Sequence, residues 1–224
     1  MMLASTLVLL LAVCVAAMGQ EPASPAEMAV NTVRRLGGRV TRNMKLPGQP
    51  VVRVVIRSVE VTASVLKQLK EFEALQELDL EDAHITDAAM KELGGLTSLQ
   101  KLNLCAVPIM TDAGVKELKG LKSLQDLDLT GTWITDVSLK HLKGLKALKN
   151  LSIGISQITD AGLKYLKELE GLQDLALFGI HITDAGFEDL KQFKGLKRLH
   201  LASTQITDAG IEELKRALPS TIIS

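Results

Sequence analysis

The chain has 224 residues, 46 % of them apolar and 3 % aromatic, and its 26 basic residues balance 26 acidic ones to a net charge of zero. That balance argues against nucleic acid or an anionic membrane as the main partner, since both are held by a basic excess. The length accommodates one domain with a continuous core, and two cysteines are too few for a disulfide framework.

The chain opens on an uncharged apolar run, Leu7 to Ala17. A membrane span needs about 20 such residues, so this run is too short to cross. Ala17-Met18-Gly19 then places small residues at the −3 and −1 positions of a cleavage site before Gln20. Residues 1–19 are therefore expected to be a secretory signal peptide, although no Lys or Arg precedes the run. The protein is expected in the periplasm, the cell envelope or the medium. Val13 stands where a lipoprotein signal takes Gly, Ala or Ser, which argues against anchoring through Cys14. With the leader removed, Cys105 has no partner for an intramolecular disulfide.

Residues 20–50 read as a tether and N-terminal cap. Ser24-Pro25 is an N-cap followed by proline at the first helical position, opening a helix through Leu36 that Gly37-Gly38 ends. Arg39–Arg42 is a candidate strand, and Leu46-Pro-Gly-Gln-Pro50 a turn.

From there the chain repeats. Ile85-Thr-Asp, Met110-Thr-Asp, Ile134-Thr-Asp, Ile158-Thr-Asp, Ile182-Thr-Asp and Ile206-Thr-Asp follow one another at intervals of 25, 24, 24, 24 and 24 residues. A fixed period in this range marks a solenoid. Each tripeptide follows a Leu-x-Leu or Leu-x-Ile pair, such as Leu151/Ile153, whose alternation with polar residues predicts a strand with one buried face. Leu163, Leu166 and Leu169 then recur every three residues as the inner stripe of a short helix. Thr159 suits the N-cap between them, and the Asp160 carboxylate suits the positive end of its own helix.

One such unit cannot bury its apolar face alone, so neighbours must stack. The predicted fold is an α/β solenoid, parallel strands on the concave face and short helices on the convex face. Seven repeats are counted over residues 51–218, the first carrying Ala63 where the others have Asp. Residues 219–224 form a C-terminal cap fragment.

The pattern Leu-x-x-Leu-x-Leu-x-x-x-x-Ile-Thr-Asp-Ala-Gly-Leu-x-x-Leu resembles that of bacterial leucine-rich repeat proteins of the ribonuclease-inhibitor-like class. Its turn is also similar to that of F-box/leucine-rich-repeat adaptors. The lead-in, Leu36–Arg42 followed by Pro47–Val52, resembles that of exported bacterial members. The resemblance implies protein binding through the concave face and no catalysis. A ubiquitin-ligase adaptor is the less expected third reading, because residues 20–50 are too short for a three-helix F-box. The sequence departs from the family at the asparagine after the strand, replaced here by Ala83, Thr132, Ser156, Ile180 and Thr204. The repeat starting at Leu99 is one residue longer, which predicts a bulge within Cys105–Met110.

No chemistry emerges from the register. His84 and His181 share a column four rungs apart, hence roughly 19 Å, and cannot share a metal. Trp133 lies in the same column, while His141 falls on a helix and His200 on the last repeat's strand. The repeated Asp residues read as helix-start chemistry rather than a calcium array, and Cys105 as a lone thiol, oxidation-sensitive only if its pKa were lowered. Lys116, Lys119, Lys140, Lys143, Lys164 and Lys167 on the outer helix positions are expected to aid solubility and offset the Asp column. No catalytic, cofactor or metal residue is assigned, and neither nucleic acid nor a small-molecule substrate is expected.

The core positions repeat while the open face of the strands does not, so specificity is expected there. The candidate partner-binding residues are Arg53, Glu77, Asp79, Lys101, Asn103, Asp126, Asp128, Asn150, Ser152, Asp174, Arg198 and His200. Phe178 beside Ile155 is a candidate apolar anchor. The leading expectation is a non-catalytic module that binds a partner protein. The alternative is a cell-envelope element that associates with copies of itself.

Overall fold

The computed structural model describes residues 23–224. The expected leader, with Cys14 and the first residues of the tether, lies outside the described residues. Ser24 accepts the Glu27 N–H (3.2 Å) and Pro25 occupies the first turn, so α1 (Pro25–Arg35) begins there. It ends at Gly37, in the left-handed region at φ 73°. At Gly38 a side chain would strike the Val55 carbonyl at 2.6 Å and Val33 at 2.8 Å. The glycine lets the chain pass close to α1 on its way into β1 (Arg39–Arg42). β1 pairs antiparallel with β2 (Val51–Val55), and Ala29, Val30 and Val33 of α1 are fully buried.

From β2 onward the strands are parallel and adjacent in chain order: β3 (Glu77–Asp79), β4 (Lys101–Asn103), β5 (Asp126–Asp128), β6 (Asn150–Ser152), β7 (Asp174–Ala176), β8 (Arg198–His200) and β9 (Ile222–Ile223). Val54, Leu78, Leu102, Leu127, Leu151, Leu175, Leu199 and Ile223 stand in register across the sheet. All but Ile223 are buried under α2 (Ala63–Leu69), α3 (Asp87–Leu93), α4 (Asp112–Glu117), α5 (Asp136–Leu142), α6 (Asp160–Leu163), α7 (Phe187–Leu190) and α8 (Asp208–Ala217). Several helices are only a turn long and share their stretch with 3₁₀ turns, as at Leu166–Glu168. Leu163, Leu166 and Leu169 are nevertheless all buried. The fold is thus an α/β leucine-rich repeat solenoid, with one sheet face sealed by helices and the other open.

The Thr-Asp turn does more than start a helix. Each Thr caps its own helix, Thr159 for example accepting the Ala161 N–H at 3.3 Å. Every Asp of the turn except Asp208, however, reaches into the next repeat, correcting the expectation that it serves only its own. Asp136 accepts the Thr159 N–H (2.9 Å) and hydroxyl (2.8 Å), and Asp160 does the same for Thr183 (2.9 and 2.7 Å). Asp87 holds Thr111, Asp112 holds Thr135, and Asp184 holds Thr207 in the same way. The result is a carboxylate ladder along the helix starts.

The ladder explains the glycine of the Ala-Gly pair. A Cβ at Gly114 would lie 2.6 Å from Asp87 Oδ1, and one at Gly186 2.7 Å from Asp160 Oδ1; Gly162 and Gly210 are closer still. Where the preceding repeat has Ala63 instead of Asp, the position is Ala89, with no carboxylate to avoid. Where it is Ser138, the hydroxyl donates to Asp112.

At the former asparagine positions, Thr132, Ser156 and Thr204 donate to carbonyls of their own repeat (2.6, 2.8 and 2.7 Å). Ala83 and Ile180 are buried core residues. The extra residue of the fourth strand's repeat is absorbed at exposed Pro108-Ile109, after Val107 has entered the core, so the sheet keeps its register.

Candidate binding face

The open face divides into three rows running across the rungs. The first is Arg53, Glu77, Lys101, Asp126, Asn150, Asp174 and Arg198, neighbours in register. Its three positive and three negative charges balance. Arg53 meets Glu77 at 3.2 Å, Lys101 meets Asp126 at 3.2 Å, Asn150 donates to Asp126, and Arg198 pairs with Asp174. The Asp174 hydrogen bond raises the Arg198 pKa.

The second row is Val55, Asp79, Asn103, Asp128, Ser152, Ala176 and His200. Asp79 is buried and takes the Arg57 guanidinium (Nε at 3.1 Å), the Asn103 amide (3.2 Å) and the Glu81 N–H (3.2 Å). Its hydrogen bond raises the Arg57 pKa. Asp128 accepts the Thr130 N–H at 2.9 Å and joins no ion pair among the described residues. His200 Nδ1 lies 2.8 Å from Ser224 Oγ.

The third row, nearest the loop edge, is Arg57, Glu81, Cys105, Thr130, Gly154, Phe178 and Ala202. Each rung continues into a residue with left-handed backbone: Ser58, Asp82, Ala106, Gly131, Ile155, Gly179 and Ser203. Ile155 stands between two glycines of this column, at φ 50° and 60 % exposed. The Phe178 ring covers Gly154, where a Cβ would meet it at 2.7 Å, and Ile155 N–H donates to the Phe178 carbonyl at 2.9 Å. The expected anchor pair is therefore adjacent.

A shallow cavity of about 280 Å³ occupies the centre of the face, lined by Glu77, Asp79, Lys101, Asn103, Asp126, Asp128, Asn150 and Ser152 together with Leu78, Leu102 and Leu127. A second hollow of about 320 Å³ follows at Asn150, Ser152, Asp174, Ala176, Arg198 and His200. Arg53, Ile155 and Phe178 stand outside both. Sequence reasoning passed over Trp133 as a binding residue, although it is 64 % exposed. Its signal was present: a single tryptophan in a column otherwise made of Glu60, His84, Ile109, Gln157, His181 and Gln205.

Burial and the carboxylates of Asp128, Glu81 and Asp79 raise the Cys105 pKa, the opposite of an activated thiol. His181 Nδ1 accepts a hydrogen bond from Gln205 at 3.1 Å. No group of three or more His, Cys, Asp or Glu able to hold a metal occurs among the described residues. None of the described helices is long and apolar enough to cross a membrane. On the convex side the bonds between repeats are made by other lysines than those singled out. Lys122 and Lys146 donate to carbonyls of the next repeat (3.1 and 2.7 Å), and Lys70 pairs with Glu92 (2.5 Å).

A parallel sheet with one strand per turn and helices on one face defines a repeat solenoid of the leucine-rich type. The family model "Leucine-rich repeat region" matches residues 52–222, and the chain belongs to that family. Solved structures share the fold. Internalin C2 of Listeria monocytogenes is 24 % identical over 92 % of this chain and 99 % of its own, with a TM-score of 0.61. A leucine-rich repeat protein of Leptospira interrogans is 24 % identical over 70 % of this chain and 45 % of its own, with a TM-score of 0.51. The mouse RP105/MD-1 complex contains a chain 22 % identical over 81 % of this one and 30 % of its own, with a TM-score of 0.58. No curated protein matches the sequence.

Proposed function

We propose that the chain is an exported, non-catalytic leucine-rich repeat protein of the ribonuclease-inhibitor-like class that binds another protein through its open sheet face. The observation that carries this reading is the contrast between the two sheet faces. The buried row is Leu at nearly every rung, whereas the open rows change residue at each rung and present charged and polar side chains around a shallow hollow. Such a surface offers hydrogen-bonding and charged groups to a large partner without a catalytic arrangement. The RP105 structure, solved with MD-1, supports binding of a protein by this fold. The apolar leader read at residues 1–19 supports export to the periplasm, envelope or medium. Residues 51–218 act as the repeat array in this reading, closed by 20–50 and 219–224. No residue is assigned to a metal, cofactor or reaction.

A second reading, self-association in the envelope, is favoured by the exposed Ile222 on β9. Affinity capture from envelope and medium separates the two. Wild-type bait is compared with Glu77→Ala/Asp126→Ala/Asn150→Ala bait whose circular dichroism is unchanged. A distinct protein held by the first and lost by the second is the expected result. Recovery only of the chain itself would favour self-association, and equal capture by both baits would remove the sheet face from the reading.

A further inference from the structure

Over the rungs of β5 to β7, crossing the open face toward the loop edge, charge gives way to apolar surface. Phe178 packs over Gly154, Ile155 lies against Gly179, and Trp133 stands on the repeat before that of Ile155, two residues past Gly131. The two repeats are joined on either side of Trp133, by Gly131 N–H to the Gly154 carbonyl (2.9 Å) and by Thr135 paired with Gln157. Trp133 and Ile155 are respectively 64 % and 60 % exposed. Ile155 is the informative member. A β-branched side chain at φ 50° is conformationally unfavourable, and the neighbouring rungs use glycine at the same position. Little burial offsets that strain, which is how strained residues at functional sites are recognised.

The surroundings say what occupies the ridge. The stretches 129–139, 153–163 and 177–187, which carry it, contain no Lys or Arg. Asp126 and Asp174 already have cations in Lys101 and Arg198, whereas Asp128 on the adjoining row has none. Ser152, in register with Asp128, donates no side-chain hydrogen bond among the described residues. The complementary partner is therefore apolar where it meets the ridge and cationic where it meets Asp128.

We propose that Trp133, Ile155 and Phe178 dock a segment of a partner protein that carries an aliphatic or aromatic side chain next to a lysine or arginine. This rests on the sheet-face reading of function and specifies the chemistry of the partner.

Trp133 is the one tryptophan of the chain, so its emission reports the ridge directly. The purified chain is titrated with acetyl-Leu-Arg-amide, acetyl-Gly-Arg-amide and acetyl-Leu-Glu-amide. The expected result is a saturable emission change with the first, weaker with the second and weakest with the third. Asp128→Asn should weaken the first by roughly two- to fivefold, the range of exposed charge pairs, and high salt should do the same. Ile155→Gly should weaken it while raising the melting temperature, a combination that loss of folding cannot produce. Absence of any response, equal response to the Glu peptide, or indifference to Asp128→Asn would each overturn the proposal. An emission change with phosphatidylcholine vesicles and none with the peptides would assign the ridge to lipid instead. A captured protein lost with the cavity variant yet indifferent to Asp128→Asn and Ile155→Gly would overturn the ridge and leave the sheet-face function standing.

Discussion

Leu151 shows what a single residue carries. It is buried on a rung whose neighbours are Leu127 and Leu175, so Leu151→Ala should cost about 2–5 kcal/mol in urea unfolding. Asn150, one residue away on the open face, should lose under about 0.5 kcal/mol on change to Ala. Equal losses would refute the register. Ile155→Gly has the opposite sign. Left-handed backbone costs a non-glycine residue about 1–2 kcal/mol, and the greater freedom of glycine in the unfolded chain takes back part of that. The net expectation is a gain of about 0.5–1 kcal/mol by the same measurement. Such residues were half legible in the sequence: the alternation showed which side Ile155 neighbours, but not its backbone angle or exposure. Cys105 is a similar case. Its position at the open face followed from register, whereas its raised pKa depends on burial and on carboxylates from other rungs. Alkylation by iodoacetamide should accordingly be slower than for a free thiol at pH 8 and accelerate at higher pH.

At the scale of one repeat, the Thr-Asp turn joins two functions that the sequence displayed as one. Thr capping was readable from spacing, because a cap and its N–H donor lie two or three residues apart. The Asp partners lie 23 or 24 residues on, and only stacking brings them together. Asp160→Ala frees the Thr183 N–H and hydroxyl and should cost about 1–3 kcal/mol. Asp208→Ala, with no such partner among the described residues, should be nearly silent by thermal melting. Asp112 contributes a pH dependence. Burial works to raise its pKa, but hydrogen bonds from Ser138 and Thr135 prevail and hold it below the ordinary value of 3.8. A depressed carboxyl stabilises the fold above its unfolded pKa. As pH falls below about 4 the unfolded chain takes up a proton that the folded one resists, and stability drops until the folded group protonates. Ser138→Ala should reduce that acid sensitivity, measured as the slope of unfolding free energy between about pH 5 and about pH 2.5.

For the whole molecule, stability is carried by contacts between neighbouring repeats, so the ends have one neighbour and the middle two. Amide exchange should be slowest in β4 to β6 and fastest in β9 and the end of α8. The β2 end should resist better than β9, because α1 and β1 cover it and bury Ala29, Val30 and Val33. Protection uniform along the array would mean that the stack unfolds as a single unit. The charges of the open face are likewise a property of the assembly. Ion pairs such as Lys101–Asp126 span successive repeats, and among the described residues leave Asp128 without a cation on the strand rows of the open face.

The period, the phase of the strands, the side chains that enter the core and the face that stays open are all written in the residue order. These follow from local alternation and from the need of each repeat to bury its Leu stripe against the next. Stacking of the repeats sets which carboxylate reaches which threonine, which charges cancel, and that Trp133 and Ile155 project from the edge. Those outcomes depend on side chains about two dozen residues apart being set one strand spacing from each other, about 4.8 Å, where contact is governed by rotamer and backbone angle rather than by pattern.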